Sequence, residues 1–243
     1  MSIEFWEGLI KILLVDIVLS GDNAVVIALA TRSLPPELRN RAIWLGAAGA
    51  VGLRLLFCFF VVELIAIPYL KIIGAVLLLW IGMKMLIPED EENGSESQAA
   101  AKAGFWGAIK TIIVADAVMS LDNVIAIVAA AKGNLMLIAI GLAFTIPLIM
   151  YGSKLILKVL VRFPVFIALG AGLIGWIAGE IWITDPAVAG WTRSVMEKHG
   201  QWLHYATAAM GALVVLVVGK LAARRVVARR AQKPLIDLAA GDK

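Results

Sequence analysis

Long apolar stretches separated by short polar segments dominate the chain up to about residue 223. Seven of these stretches reach the ~20 residues that an α-helix needs to cross hydrocarbon. They are residues 8–31, 42–64, 67–87, 104–131, 135–158, 163–184 and 202–223. The runs are too long and continuous for the alternating strands of a membrane barrel. The pattern therefore predicts an all-α polytopic membrane protein with seven transmembrane helices.

An acidic, polar segment from Pro88 to Lys102 separates the first six stretches into two halves of three. Residues of the third stretch recur ninety-six residues later in the sixth. The matched pairs are Pro68 and Pro164, Gly74 and Gly170, and Trp80 and Trp176. A unit with three spans inserts its second copy upside down in the membrane. We therefore expect two inverted three-helix repeats followed by one extra C-terminal helix.

This organisation predicts five consecutive parts. They are a first repeat (1–87), an acidic cytoplasmic linker (88–103), a second repeat (104–184), an outer loop with the seventh helix (185–223) and a basic cytoplasmic tail (224–243).

Composition and charge support a membrane protein and argue against a nucleic-acid partner. The 243 residues are 61% hydrophobic and 16% charged, whereas a soluble domain is nearer half apolar and a quarter charged. Mean hydropathy is +0.91. The net charge of +4 comes from Lys and Arg at helix ends and in the tail. Because basic residues favour the cytoplasmic side, we expect the N-terminus outside and the C-terminus inside a bacterial inner membrane, with Lys71 in an outer segment and the tail on anionic lipids.

Two acidic motifs lie one hundred residues apart, each inside an apolar stretch. They read Asp16-Ile-Val-Leu-Ser20-Gly-Asp22-Asn23 and Asp116-Ala-Val-Met-Ser120-Leu-Asp122-Asn123. On a helix, the first, fifth and eighth positions of each motif share a face, and the second Asp points away from it. Glycine tolerates a local break, so Gly21 favours a discontinuous first helix. Leu121 stands at the equivalent position and leaves a break in the second half open.

These residue types predict a cation site if inversion brings both motifs together near the bilayer centre. An ionised Asp at that depth costs roughly 3 kcal/mol, and four of them repel one another. They therefore require protons, cationic side chains or a metal ion. Carboxylate and amide oxygens suit Mg²⁺, Ca²⁺ or Mn²⁺, and neither motif contains His or Cys. The competing interpretation is a polar network that only holds two helices together.

Two further residues carry alternative interpretations. Met119 inside the second motif would favour a softer ion such as Mn²⁺ if it reached the site, but it could equally be an apolar filler. Arg54 lies near the middle of the second stretch. It could neutralise the carboxylates and compete with an ion, or it could be a fixed counter-ion with a structural role.

The paired motifs on two three-span halves resemble the TerC family, and the resemblance covers nearly the whole chain. It implies the fold of the shorter, seven-span bacterial members, which are similar to manganese exporters, some of them implicated in supplying Mn²⁺ to secreted enzymes. It also implies metal binding at six positions. These are Asp16, Asp22, Asn23, Asp116, Asp122 and Asn123.

The resulting hypothesis is a transporter, not an enzyme, that exports Mn²⁺, with Ca²⁺ and Mg²⁺ as rival ions. Alternating exposure of the site and protonation of Asp residues would make it a proton antiporter. The alternatives are an intramembrane aspartyl hydrolase, an assembly factor for membrane proteins with a structural metal, and an exporter of amino acids or organic cations. The oligomeric state, including a homo-oligomer, stays open.

Overall fold

The structure, a computed structural model, describes residues 3–87, 98–163, 165–199 and 202–240. Over these residues it consists of helices with no strand. The helices are α1 (Ile3–Ser20), α2 (Asn23–Thr31), α3 (Pro36–Phe59), α4 (Val61–Ala66), α5 (Leu70–Leu86), α6 (Gln98–Ala130), α7 (Leu135–Arg162), α8 (Val165–Ile181), a 3₁₀ turn (Trp182–Thr184), α9 (Pro186–His199) and α10 (Trp202–Ala240). Most of the predicted linker and the matched Pro164 lie outside the described residues.

Five described helices are long and apolar enough to cross a membrane, and a bent pair formed by α1 and α2 makes a sixth. The all-helical membrane class is therefore confirmed. Helix α5, with 17 residues, is at the lower limit for a span and is not among the six. The predicted number of seven spans is thus not confirmed. The first residues of the third stretch form a turn at Pro68 and Tyr69, which shortens the helix that follows.

The first motif breaks its helix and the second does not. Gly21 and Asp22 form a turn between α1 and α2, whose axes differ by 55°. This confirms the break predicted at Gly21. Helix α6 continues without interruption through Leu121, so the question left open for the second half is answered by a continuous helix. The helix that continues through Leu121 has ordinary helical backbone angles. Glycine has no Cβ and therefore also tolerates the backbone conformation of a turn.

Two glycine contacts link each half to the motif helix of the other half. A Cβ on Gly46 of α3 would lie 2.7 Å from the side chain of Ile112 on α6. A Cβ on Gly141 of α7 would lie 2.6 Å from Ile12 on α1. The two isoleucines are one hundred residues apart, like the motifs. Small residues allow such close helix packing where water provides no driving force.

A second pair of contacts places the matched glycines of α5 and α8 on the motif helices. A Cβ on Gly74 would lie 2.6 Å from Val118 of α6, and one on Gly170 would lie 2.9 Å from both Val25 and Leu29 of α2. Each matched glycine therefore packs on the motif helix of the opposite half. The buried polar side chains at the centre of the fold come from α1, α2, α3 and α6.

Helix α10 packs against α8 with backbone in contact with backbone. A Cβ on Gly175 would lie 2.5 Å from the carbonyl oxygen of Gly211, and one on Gly179 would lie 2.1 Å from that of Thr207. The spacing Gly175-x3-Gly179 is the small-residue pattern of close helix pairs. The seventh stretch is thus an integral part of the helix packing.

Two features of the C-terminal part differ from the sequence expectation. The predicted outer loop contains α9, whose mixed polar and apolar sequence gave no span signal. Helix α10 continues to Ala240, so the predicted boundary at 224 lies inside a helix. Side chains beyond Ala228 are outside the described part, and so is the predicted lipid contact of the tail.

Candidate metal centre

Three predicted residues from both motifs meet in the buried centre of the fold. We call Asp16, Asn23 and Asp116 the inner group; their exposed fractions are 0%, 3% and 7%. The Asn23 amide Nδ2 donates to Asp116 Oδ1 at 2.6 Å, which joins α2 to α6 directly. The convergence of the two motifs expected from the sequence therefore holds for these three side chains.

Arg54 of α3 connects the two carboxylates of the inner group. Its guanidinium donates through Nη1 to Asp16 Oδ1 and through Nη2 to Asp116 Oδ1, the latter at 2.5 Å. Only 1% of Arg54 is exposed. The planar guanidinium suits this role because it presents several donors in a fixed fork. One cation thus lies between two anions, all three withdrawn from solvent.

The motif serines complete the shell around Arg54. Ser20 Oγ donates to Asp16 Oδ1 at 2.8 Å, and Ser120 Oγ donates to Asp116 Oδ2 at 3.2 Å. These pairs are four residues apart on their helices, where side chains share a face. Arg54 in turn donates to Ser20 Oγ at 3.0 Å and to Ser120 Oγ at 2.9 Å. The motif spacing therefore predicts this geometry correctly.

Some oxygen atoms of the motifs remain without a partner among the described residues. Asp16 Oδ2, Asn23 Oδ1 and Asp22 Oδ1 are buried and accept no hydrogen bond from that part of the chain. A buried acceptor left unpaired costs about 1–3 kcal/mol. Two of these atoms belong to the inner group. They are oxygen donors of the kind that hard divalent cations bind.

The other three predicted residues line a cavity next to the inner group. Asp22, Asp122 and Asn123 face a cavity of about 260 Å³, which we call the vestibule. Met119, Glu180, Thr184 and His204 contribute to its wall. Met119 is also 5% exposed and belongs to the apolar core, so it borders both environments. The six predicted residues thus form two adjacent groups of three.

The two motif asparagines make reciprocal bonds across the halves. Asn23 donates to the second motif at Asp116, and Asn123 Nδ2 donates to the carbonyl oxygen of Leu19 in the first motif at 3.1 Å. Leu19 lies in the last turn of α1, beside the break. Asn123 therefore anchors the broken helix to the continuous one.

Two cavities of very different size border the motif residues. On the side away from the vestibule, a cavity of only about 10 Å³ is lined by Asn23, Arg54 and Asp116 together with apolar residues such as Ile149. That volume holds about one water molecule at most. Asn23 and Asp116 of the inner group border this small cavity, whereas the vestibule, at the end where Thr184 and His204 lie, is lined by Asp22 and not by the inner group.

No group of three or more His, Cys, Asp or Glu side chains within the described ranges is arranged to hold one metal ion. The inner group supplies two carboxylates and one amide, with Arg54 between the carboxylates. Metal binding at the six positions stays a prediction, and a bound ion would require Arg54 or the vestibule acids to move.

Lys71 contacts residues of the vestibule, whereas the sequence reasoning placed it only in an outer segment. It is 6% exposed, and its Nζ pairs with Asp122 Oδ1 and donates to Thr184 Oγ1 at 3.2 Å. The apolar neighbours of Lys71 on α5 gave no signal for an inward position. Its pairing with Asp122 places a positive charge beside one of the carboxylates that face the vestibule.

Asp185 fixes the N-terminal end of α5, which carries Lys71. Its carboxylate accepts the backbone N–H of Tyr69 at 2.8 Å, of Lys71 at 3.0 Å and of Ala187 at 2.8 Å. Tyr69 has a left-handed backbone with φ of 69°. Burial acts to raise the pKa of Asp185, but backbone donation from Ala187, Tyr69, Ile72 and Lys71 outweighs it and holds the pKa below its usual range.

Comparison with known proteins identifies relatives along nearly the whole chain. A family model described as "Integral membrane protein TerC family" matches residues 1–231. The uncharacterized membrane protein YjbE of Bacillus subtilis is 38% identical over 200 residues, which are 82% of this chain and 88% of the relative. No solved structure matches.

More distant relatives share shorter regions. The uncharacterized membrane protein YkoY of Bacillus subtilis is 25% identical over 74% of this chain and 61% of its own length. The UPF0053 inner membrane protein YgdQ of Escherichia coli K12 is 29% identical over 65% of this chain and 73% of its own length.

Proposed function

The chain belongs to the TerC family of integral membrane proteins, and we propose that it is a transporter that exports Mn²⁺ from the cytoplasm. The ion would bind at the inner group, between the broken α1–α2 helix and α6. Asp22, Asp122 and Asn123 would guide it through the vestibule. The following paragraphs give what supports this proposal and the measurement that tests it.

The observation that carries the proposal is the pair of unpartnered oxygens in the inner group. Asp16 Oδ2 and Asn23 Oδ1 are buried and accept no hydrogen bond from the described residues. A purely structural polar network would be expected to satisfy them, because unpaired buried acceptors are costly. A cation satisfies such atoms directly. Discontinuous helices near the bilayer centre are also a recurring feature of transporter ion sites.

Alternating access is supported by the packing of the two halves. The contacts of Gly46 with Ile112 and of Gly141 with Ile12 join corresponding pairs of helices, α3 with α6 and α7 with α1, as expected for inverted repeats. The wide vestibule on one side and the closed cavity on the other fit one of two access states. In the other state, the closed side would open.

The choice of Mn²⁺ combines donor chemistry with the family resemblance. The oxygens of the inner group suit Mg²⁺, Ca²⁺ and Mn²⁺ alike. Met119 in the vestibule wall adds a thioether, which favours the softest of these ions. Ca²⁺ and Mg²⁺ are the competitors to measure, and free amino acids are the control for the organic-substrate alternative.

Orientation follows from the basic residues at the two ends of the helices. The end opposite the vestibule carries Arg32, Arg39, Arg41, Lys158, Arg162 and Lys220. The vestibule end has few basic residues, and Lys71 among them is buried. By the positive-inside rule, we propose that the vestibule faces the outer side of the inner membrane, with the N-terminus on the same side.

Export against a gradient requires an energy source, for which we propose proton antiport through the motif carboxylates. In proteoliposomes, Mn²⁺ flux should increase when an imposed pH gradient drives protons in the opposite direction. Mn²⁺ flux that does not change with the pH gradient would refute proton coupling without refuting transport.

Transport is tested with purified protein in proteoliposomes that contain a fluorophore quenched by Mn²⁺. We expect Mn²⁺ entry in wild type, loss of entry in Asp116→Asn, and unchanged entry in Glu37→Gln. Asp116 is in the inner group, whereas Glu37 is exposed at the start of α3 and gives a matched loss of one charge. If proteoliposomes with the wild-type protein take up no more Mn²⁺ than liposomes without protein, the proposal is refuted and the assembly-factor alternative is favoured.

The hydrolase alternative finds no support in the arrangement of the carboxylates. A catalytic Asp pair needs one protonated and one ionised member. Arg54 donates to both Asp16 and Asp116, so a guanidinium lies between the two carboxylates where a catalytic pair would face its substrate. Peptide hydrolysis by the purified protein would reverse this conclusion.

A further inference from the structure

Arg54 occupies the atoms that a divalent ion would need. Its guanidinium binds Oδ1 of Asp16 and Oδ1 of Asp116, and the three groups are almost completely buried. Simultaneous binding of an ion to both carboxylates would place it against this guanidinium. Two positive groups in direct contact inside a low-dielectric site repel strongly.

The charges of the inner group distinguish monovalent from divalent ions. One guanidinium between two carboxylates leaves one negative charge, whereas one divalent ion neutralises both carboxylates. A monovalent ion that replaced Arg54 would gain no additional Coulomb energy and would lose the hydrogen bonds of the fork. Only an ion of higher charge gains enough Coulomb energy to compensate for the displacement of Arg54.

We propose that Arg54 and a divalent cation occupy the two carboxylates alternately, so that Arg54 determines specificity for divalent over monovalent ions. This inference rests on the proposed function, because it assumes that the inner group binds the transported ion. The guanidinium acts as a built-in competitor. The apparent affinity for the ion is its intrinsic affinity multiplied by the fraction of time during which Arg54 has released the carboxylates.

A fixed counter-ion at the same position would behave differently. It would weaken ion binding through charge alone, while guanidinium and ion remained bound together. Competition makes the two occupants mutually exclusive. The difference is measurable if the guanidinium is cut from the chain and returned as a free solute.

The experiment measures Mn²⁺ binding by titration calorimetry on wild type, Arg54→Ala and Arg41→Ala in detergent, at increasing methylguanidinium concentrations. Arg41 is exposed on the same helix and is the matched control. We expect Arg54→Ala to bind Mn²⁺ at least about tenfold more tightly than wild type, equivalent to about 1.4 kcal/mol. Its apparent Kd should then rise in proportion to methylguanidinium without a plateau, while wild type and Arg41→Ala do not respond. Na⁺ should compete in Arg54→Ala only.

Three outcomes would overturn the inference. A plateau in the methylguanidinium series would show that both occupants bind together. Equal Mn²⁺ affinities in wild type and Arg54→Ala, with no Na⁺ competition in either, would show that Arg54 excludes nothing. Absence of Mn²⁺ binding in wild type and in both variants would refute the proposed function as well, and this result is distinguishable from the other two.

A second variant covers the case in which Arg54→Ala does not fold. Removal of one partner from a buried ion pair leaves uncompensated charge and is strongly destabilising. Arg54→Lys keeps the charge but not the fork that spans both carboxylates. We expect it to bind Mn²⁺ more tightly than wild type, and an affinity equal to wild type would count against the proposal.

Discussion

Substitution of Asn23 by alanine should separate ion binding from stability. The change removes the 2.6 Å bond from Nδ2 to Asp116, which at a charged acceptor contributes about 2 kcal/mol. It also removes Oδ1, a buried acceptor without a described partner, whose burial costs about 2 kcal/mol. The two effects nearly cancel, so the free energy of unfolding should change by no more than about 1 kcal/mol.

Ion binding, in contrast, should suffer from Asn23→Ala. One oxygen ligand disappears from the inner group, and we expect Mn²⁺ affinity to fall at least tenfold, or about 1.4 kcal/mol. Asn123→Ala provides the comparison, because Asn123 is half-buried at the vestibule and its amide Nδ2 donates to the carbonyl oxygen of Leu19. Its effect on affinity should be smaller than about threefold, which corresponds to less than half of that free energy.

The assays are calorimetric Mn²⁺ titration and thermal unfolding in the same detergent. For Asn23→Ala we expect the Tm to move by no more than about 4 °C, as a change near 1 kcal/mol gives in a chain of this size. A large loss of Tm would mean that Asn23 is structural. Equal losses of affinity in the two Asn variants would mean that the inner group is not the binding site.

Three further predictions concern the packing of α8 on α10, the carboxylate of Asp185 and the break at Gly21. Gly175→Ala and Gly179→Ala should each lower the Tm, because the added Cβ meets backbone of α10, whereas Gly107→Ala, with open space at its Cβ, should not; equal Tm values would contradict the contact. Asp185, whose pKa is lowered, stabilises the fold above its unfolded pKa of about 3.9. Its contribution should vanish as pH falls through the folded pKa. Asp185→Asn should therefore unfold at a lower denaturant concentration than wild type at neutral pH, and its stability should lack this acid dependence. Gly21→Leu reproduces the residue of the second motif; we expect loss of Mn²⁺ flux with retained membrane insertion, and normal flux would show that the break is dispensable.

The local geometry of the motifs could be predicted from their spacing. Helical periodicity placed Asp16 and Ser20 on one face of α1, and the bond from Ser20 to Asp16 follows from it. The break at Gly21 followed from the backbone freedom of glycine. These features depend on residues close together in the chain, where elementary rules apply.

Contacts between distant residues could not be predicted in the same way. Lys71 looked like a loop cation, because its burial depends on Asp185, more than one hundred residues later, holding the start of α5. Arg54 was expected near the motifs, but the sequence could not say that it would join both carboxylates. Hydropathy also could not locate the end of α3 at Phe59 or the presence of α9, since both depend on packing at the membrane surface.

The interrupted helix in one half and the continuous helix in the other make the two faces of the membrane inequivalent. Opening at one face can bend the protein at the turn between α1 and α2, whereas opening at the other must move the continuous helix α6. Influx and efflux through the same molecule should therefore have different maximal speeds. Thermodynamics alone still decides the concentration ratio at which net flow stops, so the asymmetry acts as a kinetic rectifier and not as a source of energy.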